Sequence, residues 1–340
     1  MTRKMAYAVA IDSLHPIEGA DAIEMARVGG WAVVTKKGEF RAGELAVYFE
    51  IDAFLPEGNP GWQFLVDKSS RVFEGRRGHV LRTVKLRGQV SQGLLIAPAL
   101  LGLAGLEAGQ DVGEALGVLK YEFPVPAEIS GVARGPFPWR VAKTDQERIQ
   151  NLADELAAWH AAPSAWEVTE KLEGTSCTFA WLDGELQVCS RNLSLVEADD
   201  NSLWKTAKAL DIPSKMARHA GARNLALQGE LVGMGIQGNV YGRRAQEFYL
   251  YDVYDADAGG YLPAADRQAF AELMGVPHVP VVDPARVLDA GATMTALLAE
   301  ADGPSVLQPA QLREGLVFKR HDGAASFKVV SNRYLLKQKD

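Results

Sequence analysis

The chain has 340 residues, 47% of them hydrophobic and 23% charged, with a formal net charge of −7. That length suits two domains of ordinary size, and that apolar share can fill their cores, which excludes an intrinsically disordered chain. The acidic balance gives no global pull toward nucleic acid, so any such contact has to come from a local basic patch. The start, MTRKMAYAVAIDSLHPIEG, has no apolar leader-like run, and no stretch approaches the roughly 18 apolar residues of a membrane span. The expectation is a soluble, cytoplasmic protein without membrane contact. Cys177 and Cys189 belong to no larger cysteine framework and read as a reduced pair.

Residues 1–120 read as short strands broken by turns: MAYAVAIDSL alternates, WAVVTKKGEF and ELAVYFEID follow around Gly38 and Gly43, and HVLRTVKLRG and GLLIA come later. About five such strands with few helix signals predict a small closed all-β barrel of the OB type. Residues 121–139 hold the proline-rich run FPVPAEISGVARGPFPW and read as a linker. In KTDQERIQNLADELAAWHAA, a Thr/Asp cap precedes Ile149, Leu152 and Leu156 at helical spacing. Beyond it, WEVTEKLEG, CTFAWLDGELQVCSRN and NLALQGELVG read as strands, with Asp183-Gly184 as a hairpin turn. SLWKTAKAL and ADRQAFAELMG read as helices, and EGLVFKRHDGAASFKVVS as a second hairpin about Asp322-Gly323. Residues 140–340 are therefore expected to form an α+β domain with antiparallel sheets.

The stretch VTEKLEGTSCTF contains Lys171 three residues before Gly174. Lys-x-x-Gly alone occurs by chance about once in a chain of this length, and a lone Lys171 reads as a solvated strand lysine. Four more elements follow in order: SRN (190–192), GELVG (229–233), FYLYD (248–252), and EGLVFK (314–319) with FKVVSNRYLLK (327–337). In this order, with each element in or at the end of a predicted strand, they resemble the covalent nucleotidyltransferase superfamily of polynucleotide ligases and mRNA capping enzymes. EKLEGTS is closest to the form found in nick-sealing RNA ligases. GADAIEMARVGGWAVVTKKGEFRAGELAVYFEIDAFLP, LRGQVSQGLL and KTDQERIQN resemble a bacterial RNA ligase family with an N-terminal OB domain. The related DNA ligases and capping enzymes carry that domain after the last motif, and only twelve residues follow Lys328 here.

The resemblance implies an ATP-dependent RNA ligase. Lys171 would attack the α-phosphate of ATP to give lysyl-AMP, AMP would pass to the 5′-phosphate of a nick, and a 3′-OH would displace it. The partner would be a nicked RNA duplex or an RNA–DNA hybrid with RNA on the 3′-OH side. An ordinary lysine, with a pKa near 10.4, is a protonated and poor nucleophile, and adjacent positive charge from Lys328 and Mg2+ or Mn2+ favours its neutral form. Glu230 and Glu314 would hold the metal, Arg191 the ribose or donor phosphate, Tyr251 the adenine face and Glu170 the adenine edge, with Gly174 and Thr175 lining the nucleotide. Glu230 and Glu314 lie in apolar strand sequences, where a charge needs a partner or a metal. Phe248 reads as core.

The last motif departs from the family pattern, because Val330 stands where a second lysine is common. Lys319, Arg333 and Lys337 are the substitutes in reach. A two-residue turn at Asp322-Gly323 pairs Lys328 with Val317 and puts it on the face opposite Glu314. A shared pocket would then need a three-residue loop or a bulge at Gly315, and Lys319 would join only through a further irregularity. Residues 68–92 hold seven basic residues against Glu74. This run is either a solubilising face or a track for RNA phosphates, with Lys85 and Arg87 alternating on one strand face. Arg148 and Gln150 read equally as nucleic-acid contacts or as domain-interface residues. The six histidines lack ligand spacing and carry no metal role. A GTP-using capping-type enzyme and a non-catalytic OB-domain binding protein with a degenerate transferase domain are the alternatives. No apolar interface helix stands out, so a monomer is expected.

Overall fold

The computed structural model describes residues 3–65, 70–122 and 131–337. These divide into two compact units, one drawn from Met1–Phe123, Ile149–Ala153 and Leu335–Asp340, the other from Pro124–Arg148 and Asp154–Tyr334.

The first unit is built around the strand Leu45–Phe49, flanked antiparallel by Ala6–Ala10 and Leu94–Ile96. Strand alternation sends Val47 and Phe49 into one core with Leu55, Trp62 and Ile96, and Ala46 and Tyr48 into another with Trp31, Val33 and Ile51. Both faces of this strand are therefore dry, and Ala46 through Phe49 are fully buried. The strands are shorter than the sequence indicated, and among the described residues they fall into four small sheets instead of one closed barrel. The architecture is OB-like. Ile149–Ala153 belongs to this unit because Asn151 accepts from Trp31 Nε1 (2.6 Å) and donates to the buried Glu50 carboxylate (2.6 Å). The helix expected from Asp145 onward accordingly starts only at Ala153, after a short strand at Glu147–Arg148 and a 3-10 turn at Ile149–Asn151.

The second unit contains two largely antiparallel sheets. The larger runs Ala133–Pro136, Leu193–Leu195, Glu185–Cys189, Thr175–Leu182, Leu225–Gly233, Gln246–Asp255, Gly260–Tyr261. The smaller runs Glu147–Arg148, Ser326–Val330, Gly315–Arg320, Ala165–Lys171, Val281–Val287, with only the Glu147–Arg148 pairing parallel. Part of the expected linker is thus an edge strand, and residues 123–130 lie outside the described residues. One face of the larger sheet packs Phe179, Leu227, Leu231, Phe248 and Leu250 against the helices Ser202–Ala209, Ile212–His219 and Ala264–Met274. Phe248 is core, as its sequence indicated. Its other face carries Gln228, Glu230 and Asp252, and it meets the smaller sheet through buried charges. Both cysteines are free and buried.

Candidate active site

Lys171 is the last residue of its strand, where the chain leaves the smaller sheet and crosses to the larger one through Leu172–Gly174. That crossing is tight. A Cβ on Gly174 would lie 2.4 Å from the Leu231 carbonyl oxygen and 2.8 Å from Glu230 Cγ, so glycine lets Thr175 enter register opposite Leu231. What approaches Gly174 in this structure is the neighbouring strand. Lys171 Nζ lies 2.7 Å from Glu314 Oε1, and both side chains are largely shielded from solvent.

The hairpin keeps the register deduced for a two-residue turn, with Val317 opposite Lys328, although Arg320 closes on Ala325 over a longer loop. The expected bulge is absent from this pairing. Glu314 precedes the strand Gly315–Arg320, so strand alternation does not bind it and its carboxylate turns to Lys171. Lys319 also needs no irregularity. It pairs with Glu167, two steps from Thr169 and four from Lys171, so all of these share one face with Lys328.

Glu230, on the strand Leu225–Gly233, is the carboxylate most perturbed by this setting. Burial raises its pKa to about 8, Lys171 and Arg191 oppose the rise, and Glu314 and Glu173 add to it. Glu173 is raised as well, chiefly by burial, and its backbone N–H donates to Tyr241 Oη (2.7 Å). Glu173 was not among the residues singled out from the sequence. Its position between Lys171 and a -G-T- strand start was the available signal. Burial and mutual repulsion thus make this cluster of carboxylates beside Lys171 a setting that takes up a proton or a cation. Among the described residues no three acidic, histidine or cysteine side chains form a ready metal cage.

Glu170 points to the other face of its strand from Lys171. Burial raises its pKa against hydrogen bonding from the Ser305–Leu307 segment; Oε2 accepts from Val306 N–H (2.7 Å), and the buried Oε1 has no partner at hydrogen-bond distance. Its backbone N–H donates to Pro280 O. Both attachments sit beside Val279 and Leu307 of an apolar cluster that also holds Leu172, Val232, Tyr241, Tyr249 and Tyr251. An orphaned acceptor at the rim of an aromatic-lined apolar patch fits the amino edge of a purine.

Tyr251 is the extra residue of a bulge between the strands Leu225–Gly233 and Gln246–Asp255, where Gln228 pairs with Asp252 but Gly229 with Leu250. The bulge redirects its ring. Its hydroxyl shares a 2.9 Å hydrogen bond with Thr144 Oγ1, and its carbonyl accepts from Lys319 Nζ at 2.6 Å. Lys319 also donates to Asp252 Oδ1 (2.7 Å), and its pKa is lowered by burial against that carboxylate's pull. Arg267 pairs with Glu167 and reaches Asp252, all at 4% exposure or less, and its Nε donates to His278 Nε2 (3.0 Å). His278 is held down near pH 4 by burial first and by Arg267 next. This cross-sheet charge network escaped the sequence reading, since nothing local links residues 167, 252, 267 and 319.

Arg191 and Lys328 meet through an acid the sequence reading treated as a helix cap. Asp145 accepts from Arg191 Nη2 at 3.2 Å and from Lys328 Nζ at 3.1 Å. Val330 is 3% exposed and faces Gly315, so its position is part of the packing.

In the first unit Lys85 lies on the strand Thr83–Leu86, but Arg87 does not continue it. Arg87 (φ 47°) and Gly88 (φ 84°) form the two-residue turn that joins Leu86 to Gln89, a type I′ geometry. The two expected RNA contacts are therefore one strand residue and one turn tip, both exposed. Arg148 is only 6% exposed and sits beside Lys328 in the sheet, and Gln150 is 2% exposed, so a surface contact with a duplex is not open to either in this structure.

A family model described as an OB-fold domain matches residues 5–98, and one described as RNA ligase matches residues 164–330. Among solved structures, a lysine-to-methionine mutant of Naegleria gruberi RNA ligase with AMP and Mn is 43% identical at a TM-score of 0.93, over 99% of this chain and 100% of that one. A glutamate-to-alanine mutant with ATP and Mn is 43% identical at 0.92, over 99% and 100%. The same ligase with PPi is 43% identical at 0.92, over the full length of both. No curated protein matches.

Proposed function

The chain belongs to the RNA ligase family and is an ATP-dependent RNA ligase, and we propose that it seals nicks through a lysyl-AMP formed on Lys171. The observation that carries this reading is the Lys171 amine at the crossing of two sheets, 2.7 Å from Glu314 and electrostatically linked to Glu230 and Glu173.

Lys171 Nζ forms a bond to the α-phosphorus of ATP as the bond to the bridging oxygen breaks and pyrophosphate leaves. At rest the ammonium is ion-paired with Glu314, and it must give up a proton, to that carboxylate or to water, before its lone pair can attack. The 5′-phosphate oxygen of a nick then attacks the same phosphorus and regenerates the amine. The 3′-OH finally attacks the 5′-phosphorus and releases AMP. Glu170 Oε1 accepts from the adenine amino group, and Tyr251 offers its ring to the base. Arg191 stands beside Lys328 and supplies the second cation that Val330 does not. Glu230 and Glu314, with Glu173 close enough to act on both electrostatically, would hold Mg2+ or Mn2+, which would offset phosphate charge. Such an ion takes one or two carboxylates plus substrate phosphates, so a preformed cage is not required.

Glu230 gives this assignment a pH signature. Below pH 8 its carboxyl is mostly protonated and has to release that proton to bind a cation. Metal affinity should fall roughly tenfold per pH unit below about 8 and level off above it. Calorimetry at pH 7 in two buffers of different ionisation enthalpy should count about one proton released per ion bound, and Glu230→Gln should abolish that release. Equal affinity at pH 6.5 and 8.5 would remove Glu230 from the ligand set.

The partner on this reading is a nicked duplex with RNA at the 3′-OH side, and the enzyme acts as a cytoplasmic monomer. Lys85→Ala and Arg87→Ala should each weaken nick binding and reduce its salt dependence by roughly one unit of slope, with self-adenylylation unchanged. A loss of labelling equal to the loss of binding would tell against that assignment. The reading itself is tested by α-labelled ATP against GTP, and by nicks that differ only in the sugar at each end. Labelling by GTP alone, or equal sealing with deoxyribose at the 3′-OH, overturns it.

A further inference from the structure

We propose that Ala142–Asp145 is a strap across the candidate active site, and that the Asp145 carboxylate stands in for a phosphate between Arg191 and Lys328 and withdraws when phosphate binds. The inference rests on the ligase reading above and concerns how its site is kept before substrate arrives.

Four successive residues of the strap are held by the site. Ala142 O accepts from Gln228 Nε2 at 2.7 Å, and Lys143 Nζ donates to Asn192 Oδ1 at 2.8 Å. The Thr144 hydroxyl shares a hydrogen bond with Tyr251 Oη, and Asp145 takes one N–H from Arg191 and one from Lys328. Immediately beyond, Glu147–Arg148 pairs parallel to the strand of Lys328, which anchors one end. Two oxygens of one carboxylate satisfying two cations from different sheets is also the geometry of a bridging phosphate. The strap further occupies the hydroxyl of Tyr251, the ring assigned to adenine. Asp145 and Arg191 are partly solvated, at 38% and 48% side-chain exposure, while Lys328 is more shielded at 15%, so the Arg191 pair is the one that exchanges more readily. An incoming phosphate carries more charge than one carboxylate and can take over both partners. The paired state keeps the two cations together in its absence.

Competition has the opposite sign from support, and that decides the experiment. The full chain and Asp145→Asn are titrated with inorganic pyrophosphate and Mg2+ in one arm. In the other arm they are titrated with nicked RNA duplexes bearing a 5′-phosphate or a 5′-hydroxyl. Asn keeps the size and removes the charge, and Asp145→Ser replaces it should Asn lower the unfolding midpoint. The expected result is roughly three- to tenfold tighter binding of at least one phosphate ligand. Tightening with pyrophosphate identifies the nucleotide phosphates as the group displaced, and tightening only with the 5′-phosphorylated nick identifies the RNA phosphate. Adding Lys328→Gln should cancel the gain. Unchanged or weaker binding in both arms overturns the strap's role and leaves Asp145 as a positioning residue for its two cations, with the ligase reading intact. A wild-type chain that binds no phosphate ligand overturns both.

Discussion

Lys171→Ala is expected to abolish transfer of labelled AMP from ATP to the protein and to lower sealing of a 5′-phosphorylated nick at least about 10^4-fold. The fold should survive, because Lys171 ends its strand with 27% of its side chain exposed and is ion-paired with Glu314. A partly exposed pair of this kind contributes about 1 kcal/mol or less. The variant should still close a nick whose 5′ end already carries AMP, since that last step uses the 3′-OH as nucleophile and needs no free amine. Retained closure with lost labelling assigns Lys171 to covalent transfer. A persisting adduct would show that another nucleophile operates and would end the lysyl-AMP account.

The largest stability effect belongs to Arg267. Its guanidinium is 2% exposed and faces Glu167 and Asp252, themselves almost wholly buried, and Lys319 pairs with the same oxygen of Asp252 that Arg267 approaches. Arg267→Met leaves two buried carboxylates with only Lys319 between them, a loss of about 3–5 kcal/mol. For a unit of this size the unfolding midpoint should drop by roughly 6–20 °C. Adding Glu167→Leu should recover part of that loss, because it removes one of the stranded charges instead of leaving it unpaired. A midpoint within a degree or two of wild type for Arg267→Met would mean that water reaches the network. Activity should fall along with stability, since Lys319 and Asp252 fix the backbone carbonyl of Tyr251 at the bulge.

The strands themselves were largely legible in the sequence. Lys171, Glu230, Tyr251, Glu314 and Lys328 are singled out by the resemblance of their ordered motifs to a known superfamily, whereas the pairing of Val317 with Lys328 follows from counting outward from Asp322-Gly323. Counting failed where a residue left the strand. Glu314 sits one step before its strand and is free of the alternation that seemed to set it against Lys328. Arg87 falls in a turn whose second residue is a glycine with positive φ, and Tyr251 is turned by a bulge that no local pattern announces. Partners distant in sequence were invisible. Asp145 reads as a helix cap because Thr and Asp precede helix-spaced Ile149 and Leu152. The helix is displaced to Ala153 by two things counting cannot see, the pairing of Glu147–Arg148 with the strand of Lys328 and the ties of Asn151 to Trp31 and Glu50.

That last tie bears on how the chain is made. Glu50 is completely buried, and its hydrogen-bond partner Asn151 lies about 100 residues later. At ribosomal rates of roughly 5–20 residues per second, about 5–20 s pass before that amide has been synthesised. Through that interval the nascent N-terminal half holds Glu50 with its Arg3 ion pair but without the Asn151 hydrogen bond, and it gains that contact only after the chain has passed through the first stretch of the catalytic half.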